Sequence, residues 1–115
     1  MLFRSLPFVP PLPLTTPLKS YHASEIAYVL QSAWVLADPA RFSPAQRLLS
    51  QRMQAYWGAF AHSGVPAGPA LPAAPAWPAY HPATDLTQML RPDGVRAGSA
   101  FAADHKCAFW AGLGF

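Results

Sequence analysis

The sequence predicts a mixed α/β chain, and three observations point there. A run from Ser43 to about His62 carries apolar residues at helical spacing between clear start and stop signals. A shorter run from Ser24 has the same period. Around them lie short extended stretches at residues 2–9, at 87–90 and near Val95, separated by proline-rich connectors.

Taken in order, residues 2–9 read as a short strand, which Pro7 confines to a sheet edge. Residues 10–20 form a proline-rich connector. From Ser24 a helix is predicted, with Ile26, Val29, Leu30, Ala33 and Trp34 on one apolar face. Asp38-Pro39 stops it, because the residue before a proline is pushed out of the helical region. The next helix is the best marked. Ser43 is its N-cap, Pro44 takes the tolerated first position, and Gln46 completes a capping box. Ala45, Leu48, Leu49, Met53, Tyr56, Trp57 and Phe60 give it a wide apolar stripe, and Gly64 supplies a left-handed stop.

Prolines 66, 69, 72, 75 and 78 then recur every third residue, a spacing that suits a polyproline II segment. A strand at Thr87–Leu90, a turn at Pro92-Asp93-Gly94 and another short strand near Val95 follow. A last helix is predicted from about Ala103 to Leu113, with Cys107, Phe109 and Trp110 as its apolar contacts.

Composition narrows the function classes. The 115 residues suit one modest domain. Hydrophobic residues make up 52% and charged residues 11%, so the chain has much to bury and little to cover itself with. That balance fits a segment of something larger. The net charge of +3 comes from scattered basic residues that form no run, which argues against a nucleic-acid surface. A single cysteine excludes an intrachain disulfide and a cysteine-rich metal site, and the histidines (His22, His62, His81, His105) lack metal-ligand spacing, so no zinc site is expected. No apolar run reaches the length of a membrane span. The apolar N-terminus is interrupted by prolines at 7, 10, 11 and 13, and is read as something other than a signal peptide. The sequence leaves its compartment unknown.

The informative stretch is Tyr21-His22-Ala23-Ser24-Glu25-Ile26-Ala27-Tyr28-Val29-Leu30. A histidine stands in a loop directly before an apolar helix, where it can reach a nucleophile and an orienting acid. Here the sequence resembles the C-terminal part of the type-B carboxylesterases, the α/β-hydrolase family that includes para-nitrobenzyl esterases and cholinesterases. The family pattern H-G-x-[ED]-[LI]-x-[YF]-V-F reads here as His22 to Leu30, with Ala23 for the glycine and Leu30 for the phenylalanine. Gln54 to Gly64 resembles the M-x-x-Y-W-x-x-F-A-x-x-G-x-P helix. Trp77-Pro78-Ala79-Tyr80 resembles W-P-x-Y, and His105 to Trp110 the closing R-C-x-F-W helix. The resemblance covers roughly residues 20–111. The proline stretch at 66–78 is longer than the family's short loop.

The resemblance implies a piece of a three-layer αβα, mostly parallel fold, with about three helices and one to three strands. Residues 1–20 would be an edge strand and connector. Residues 21–115 would be the C-terminal part of the hydrolase domain, with a proline-rich loop at 65–82. It implies that His22 is the triad histidine of a serine esterase acting on carboxylic esters without a cofactor. Glu25 takes a buried supporting role, hydrogen-bonded behind the histidine, because the family draws its triad acid from an upstream loop. The competing reading of Glu25 is a plain helix N-terminal acid. Ser24 reads as a helix cap, and Cys107 as a buried free thiol. The nucleophile, the oxyanion glycines and the acid precede the histidine in this family's order and would lie upstream of Met1. The chain contains no G-x-S-x-G, so it is predicted inactive alone.

Two other readings stay open. Arg4-Ser-Leu-Pro7-Phe-Val-Pro10 fits the loose [RK]-x-x-P-x-x-P pattern of SH3 ligands, so the chain can be read as a non-catalytic, proline-rich interaction protein. It can also be read as a degenerate gene product.

Overall fold

The computed structural model describes residues 23–33, 37–66 and 74–114. The strand expected at 2–9, the connector at 10–20 and most of the proline repeat lie outside them. So does His22.

Helix α1 spans Ile26–Leu30. It is shorter than its sequence period, which continues to Ala33 and Trp34. The helix stops because Gln31 turns left-handed, at φ 54° and ψ 27°, and its side-chain amide is drawn to Ser50 on the next helix. The N-cap is Glu25 rather than the expected Ser24, and no side chain caps this end. A 3-10 turn follows at Pro39–Arg41, where the Asp38 carboxylate accepts the Ala40 N–H at 3.0 Å.

Helix α2 spans Pro44–Ser63 and is bounded as its sequence signals predict. The Ser43 hydroxyl accepts the Gln46 N–H at 3.2 Å, and Gln46 Oε1 accepts the Ser43 N–H at 2.9 Å. Together these satisfy two donors that a helix start leaves orphaned. Gly64, at φ 74°, ends the helix and donates its N–H to the Phe60 carbonyl. The apolar stripe is wider than the surface that covers it. Leu49, Met53 and Tyr56 are buried, whereas Leu48, Trp57 and Phe60 keep 43%, 41% and 58% of their surface exposed.

Strands β1 (Thr87–Arg91) and β2 (Gly94–Gly98) pair antiparallel, from Thr87 opposite Gly98 to Arg91 opposite Gly94. Two residues, Pro92 and Asp93, join them, a connection that only antiparallel strands permit. The mostly parallel sheet expected from the resemblance is not among the described residues, whose sheet is this two-stranded hairpin.

The predicted C-terminal helix is two helices, α3 (Phe101–Asp104) and α4 (Cys107–Gly112). Lys106 divides them at φ 53° and ψ 41°, a left-handed residue that is not glycine and so gives no sequence signal. Asp85 Oδ2 accepts the Ala102 N–H at 3.1 Å and holds α3 beside the hairpin. Cys107 is a free thiol, half-buried rather than buried.

The core is one cluster. Leu49, Met53 and Tyr56 of α2 meet Val95 of β2, and Tyr28, Val29, Ala74, Trp77 and Leu90 pack around them. Phe42 closes one side by stacking on Tyr28 at 4.5 Å between ring centroids. Among the described residues no helix is long and apolar enough to cross a membrane. None of their His, Cys, Asp and Glu side chains form a group of three that could hold a metal ion.

Candidate functional site

The histidine motif enters the described structure at Ala23, the residue after His22. Ala23 holds the left-handed region at φ 66°, a conformation that suits glycine and strains any residue with a Cβ. The alanine therefore stands where the family pattern places glycine, in the backbone geometry that explains the glycine. The Ala23 carbonyl accepts the Ile26 N–H at 3.2 Å, and the Glu25 carbonyl accepts those of Tyr28 and Val29 at 3.0 and 2.9 Å. The residues after His22 are thus a hydrogen-bonded turn that runs directly into α1.

Helix α1 is fastened to α2 by its polar groups as well as by packing. The Ser50 hydroxyl donates to the Tyr28 carbonyl and accepts from Gln31 Nε2, both at 2.5 Å. Gln54 Nε2 donates to the Ser50 hydroxyl at 3.1 Å and reaches the Tyr28 carbonyl at 3.3 Å. Gln46, already the capping-box residue, donates from Nε2 to the Tyr28 hydroxyl at 3.1 Å. In the sequence Gln46 reads as a cap and Gln54 as the start of the α2 motif, and Ser50 carries no assigned role. A signal was present: Gln46, Ser50 and Gln54 recur every fourth residue, a polar row running beside the apolar stripe.

Glu25, expected to support the histidine from a buried position, has an exposed side chain at the N-cap of α1 and makes no capping bond. Ser24 is half-buried in the turn.

The second and third motifs of the resemblance meet in space. The Tyr56 hydroxyl donates to the Pro75 carbonyl at 2.5 Å. Its ring meets Trp77 edge-on at 5.2 Å, and Trp57 meets the same indole at 6.0 Å. Burial raises the Tyr56 pKa above its usual 10.0, offset in part by the Arg52 charge and the Gln88 amide. The motif around Trp77 is thereby docked on the aromatic residues of the motif in α2.

The closing motif begins at His105, the C-cap of α3, and runs into α4. Phe101 rests on the His105 ring at 4.3 Å, and Phe109 and Trp110 meet edge-on at 5.1 Å, each more than half exposed. A hollow lined by Thr87, Met89 and Leu90 of β1 and by Phe101 and His105 has a volume of about 170 Å³. Ligand pockets usually start at about 300 Å³, so it is too small for a substrate-sized molecule.

Comparison with known proteins agrees with the motif series. The human protein carboxylesterase 5A (Homo sapiens) is 37% identical over 54 residues, which are 44% of this chain and 9% of that protein. The chain therefore matches a small fraction of that relative's length. The model of the carboxylesterase family matches residues 4–110, a span that includes His22, the tyrosine and tryptophan of α2, the Trp77 element and the closing helix. With one family pattern running through nearly all of its length, and with two of its motifs packed against each other, this chain belongs to the carboxylesterase family.

Proposed function

We propose that this chain is the C-terminal segment of a serine carboxylic ester hydrolase, within a three-layer, mostly parallel α/β-hydrolase domain, and that His22 is its general base. The observation that carries the reading is the family match across residues 4–110, and the four motifs that resemble the family's, running in order from His22 to Trp110, support it. The turn at Ala23 supports it, because its left-handed backbone is what a glycine in the family pattern would serve.

In this mechanism a serine from the upstream part of the domain attacks the ester carbonyl while His22 takes its proton. The tetrahedral intermediate then collapses. The bond to the alcohol oxygen breaks, His22 returns the proton to the leaving alcohol, and an acyl-serine remains. Water, activated by the same histidine, hydrolyses the acyl group. The reaction needs no metal or organic cofactor. Neither serine nor acid comes from this chain, so the chain is inactive alone. Glu25, exposed at the start of α1, stands beside the histidine loop and is not the triad acid.

The test joins the full chain behind the upstream part of a carboxylesterase that lacks its own C-terminus, and measures hydrolysis of a short-chain nitrophenyl ester. Activity is expected to return, and His22→Ala to lower it by about three to four orders of magnitude. Glu25→Gln is expected to lower it far less. Rates indifferent to His22→Ala would sink the reading. Rates as sensitive to Glu25→Gln as to His22→Ala, with stability unchanged, would make Glu25 the acid instead.

A further inference from the structure

Helix α1 is five residues long, so its last carbonyls have no acceptor duty to fill within the helix itself. Its C-cap, Gln31, occupies the left-handed region without being glycine, an unfavourable conformation unless a contact holds it. Both needs are met by one group. Ser50, 1% exposed, gives its hydroxyl hydrogen to the Tyr28 carbonyl and takes hydrogens from the amides of Gln31 and Gln54. One donor and two acceptor positions are all that a hydroxyl has. The Ser50 hydroxyl is therefore saturated: two of its bonds, to the Tyr28 carbonyl and from Gln31, join the end of α1 to α2, and the third, from Gln54, holds the hydroxyl in place within α2. At the other end of α1 stands the turn Ala23–Glu25, which adjoins His22 in the chain.

We propose that Ser50 is a positioning residue for His22: its buried hydroxyl fixes helix α1 on α2, and so sets where the turn that follows the histidine stands. The inference rests on the reading of His22 as general base. A helix this short has no internal stiffness to spare. Without the hydroxyl, the Tyr28 carbonyl and the Gln31 amide lose a partner they share, Gln31 loses the contact that holds it left-handed, and α1 keeps only its packing and the bonds from Gln46 and Gln54 to Tyr28, a looser hold on α2. A catalytic base moved by about 1 Å can lose up to about a hundredfold in rate while substrate binding is untouched.

The test uses the full chain joined behind the upstream part of a carboxylesterase, with active sites counted by a phosphonate ester that titrates the nucleophile. Counting sites removes any change in the folded fraction. Ser50→Ala is expected to lower kcat per titrated site by about tenfold or more, with KM within about twofold. Ser50→Thr, which keeps the hydroxyl, is expected to recover most of the loss. A wild-type kcat per site in Ser50→Ala, or a loss confined to KM, overturns the proposal. Should Ser50→Ala fail to assemble, Gln31→Ala at the exposed helix end removes one partner. It is then expected to lower kcat less at constant KM, and an unchanged kcat overturns the proposal. Should the joined protein prove indifferent to His22→Ala, the general-base reading falls, and positioning of a base falls with it. The tie between helices is then judged on the full chain alone, by amide exchange at Ile26, Tyr28 and Val29. Faster exchange in Ser50→Ala upholds the tie, and unchanged exchange overturns it.

Discussion

Tyr56 on α2 holds the backbone of Pro75 by a hydrogen bond of 2.5 Å while its ring sits edge-on to Trp77 two residues further on. One side chain thus fixes both the main chain and the side chain of the segment that follows the proline repeat. Tyr56→Phe keeps the ring and removes the bond. Since Pro75 is exposed and its carbonyl can turn to water, the expected loss is about 1 kcal/mol, read from amide exchange along α2.

The same phenol makes stability depend on alkaline pH. Burial raises its folded pKa above the ordinary phenol value of 10.0. Between the unfolded and folded pKa values the unfolded chain has released the phenolic proton and the folded chain has kept it. Its contribution is therefore complete below pH 10.0 and is lost as pH rises through the folded value. Denaturant titrations at rising pH are expected to show this fall in the wild-type chain and a smaller one in Tyr56→Phe. Equal slopes in the two proteins would exclude Tyr56 as the cause.

Ala23 carries a Cβ at φ 66°. Ala23→Gly is expected to stabilise the turn by about 0.5–1 kcal/mol, the relief of left-handed strain being partly offset by the greater freedom of glycine in the unfolded chain. Ala23→Val, branched at Cβ, is expected to destabilise it further. Slower amide exchange at Ile26 in the glycine variant, and faster exchange in the valine variant, is the outcome to look for.

Ser43 and Gln46 cap α2 reciprocally. Ser43→Ala is expected to cost about 1 kcal/mol, visible as lost protection in the first turn of α2 with the C-terminal turns unaffected. Ser43→Asp retains an acceptor and is expected to stay near wild type.

Alone, the chain is expected to hydrolyse a short-chain nitrophenyl ester no faster than an equal concentration of free imidazole. A saturable rate that vanishes in His22→Ala would mean that the chain supplies its own nucleophile.

The elements legible in the sequence are those whose instructions are local. Ser43, Pro44, Gln46 and Gly64 mark α2 at both ends within a few residues, and the structure follows them. Pro92-Asp93-Gly94 marks the hairpin in the same way. The end of α1 was not legible, because its apolar period runs on past Leu30 while Gln31 answers to Ser50, nineteen residues away. The break at Lys106 was hidden too, since a left-handed lysine looks like any helical lysine. The width of the α2 stripe misled: periodicity reports which residues share a face, not whether anything covers it, and Trp57 and Phe60 stay exposed. Of the candidate site, the histidine motif could be read directly. Its support could not, because a serine in a helix reads as a neutral residue until the carbonyl it serves is known.

The proline-rich stretch after α2 is bracketed by a single helix. It leaves from Gly64 at the end of α2, and beyond it Pro75 and Trp77 are gripped by Tyr56 and Trp57 of that same helix. Because both attachment points belong to one rigid body, extra residues between them leave those points where they are, and each doubling of length adds only about 0.6 kcal/mol of closure entropy. That makes the stretch a site where length can drift between relatives at little expense, in keeping with its excess over the family's short loop. It also makes it the place to splice in a foreign peptide, such as an affinity tag, while leaving the histidine turn and its helix undisturbed.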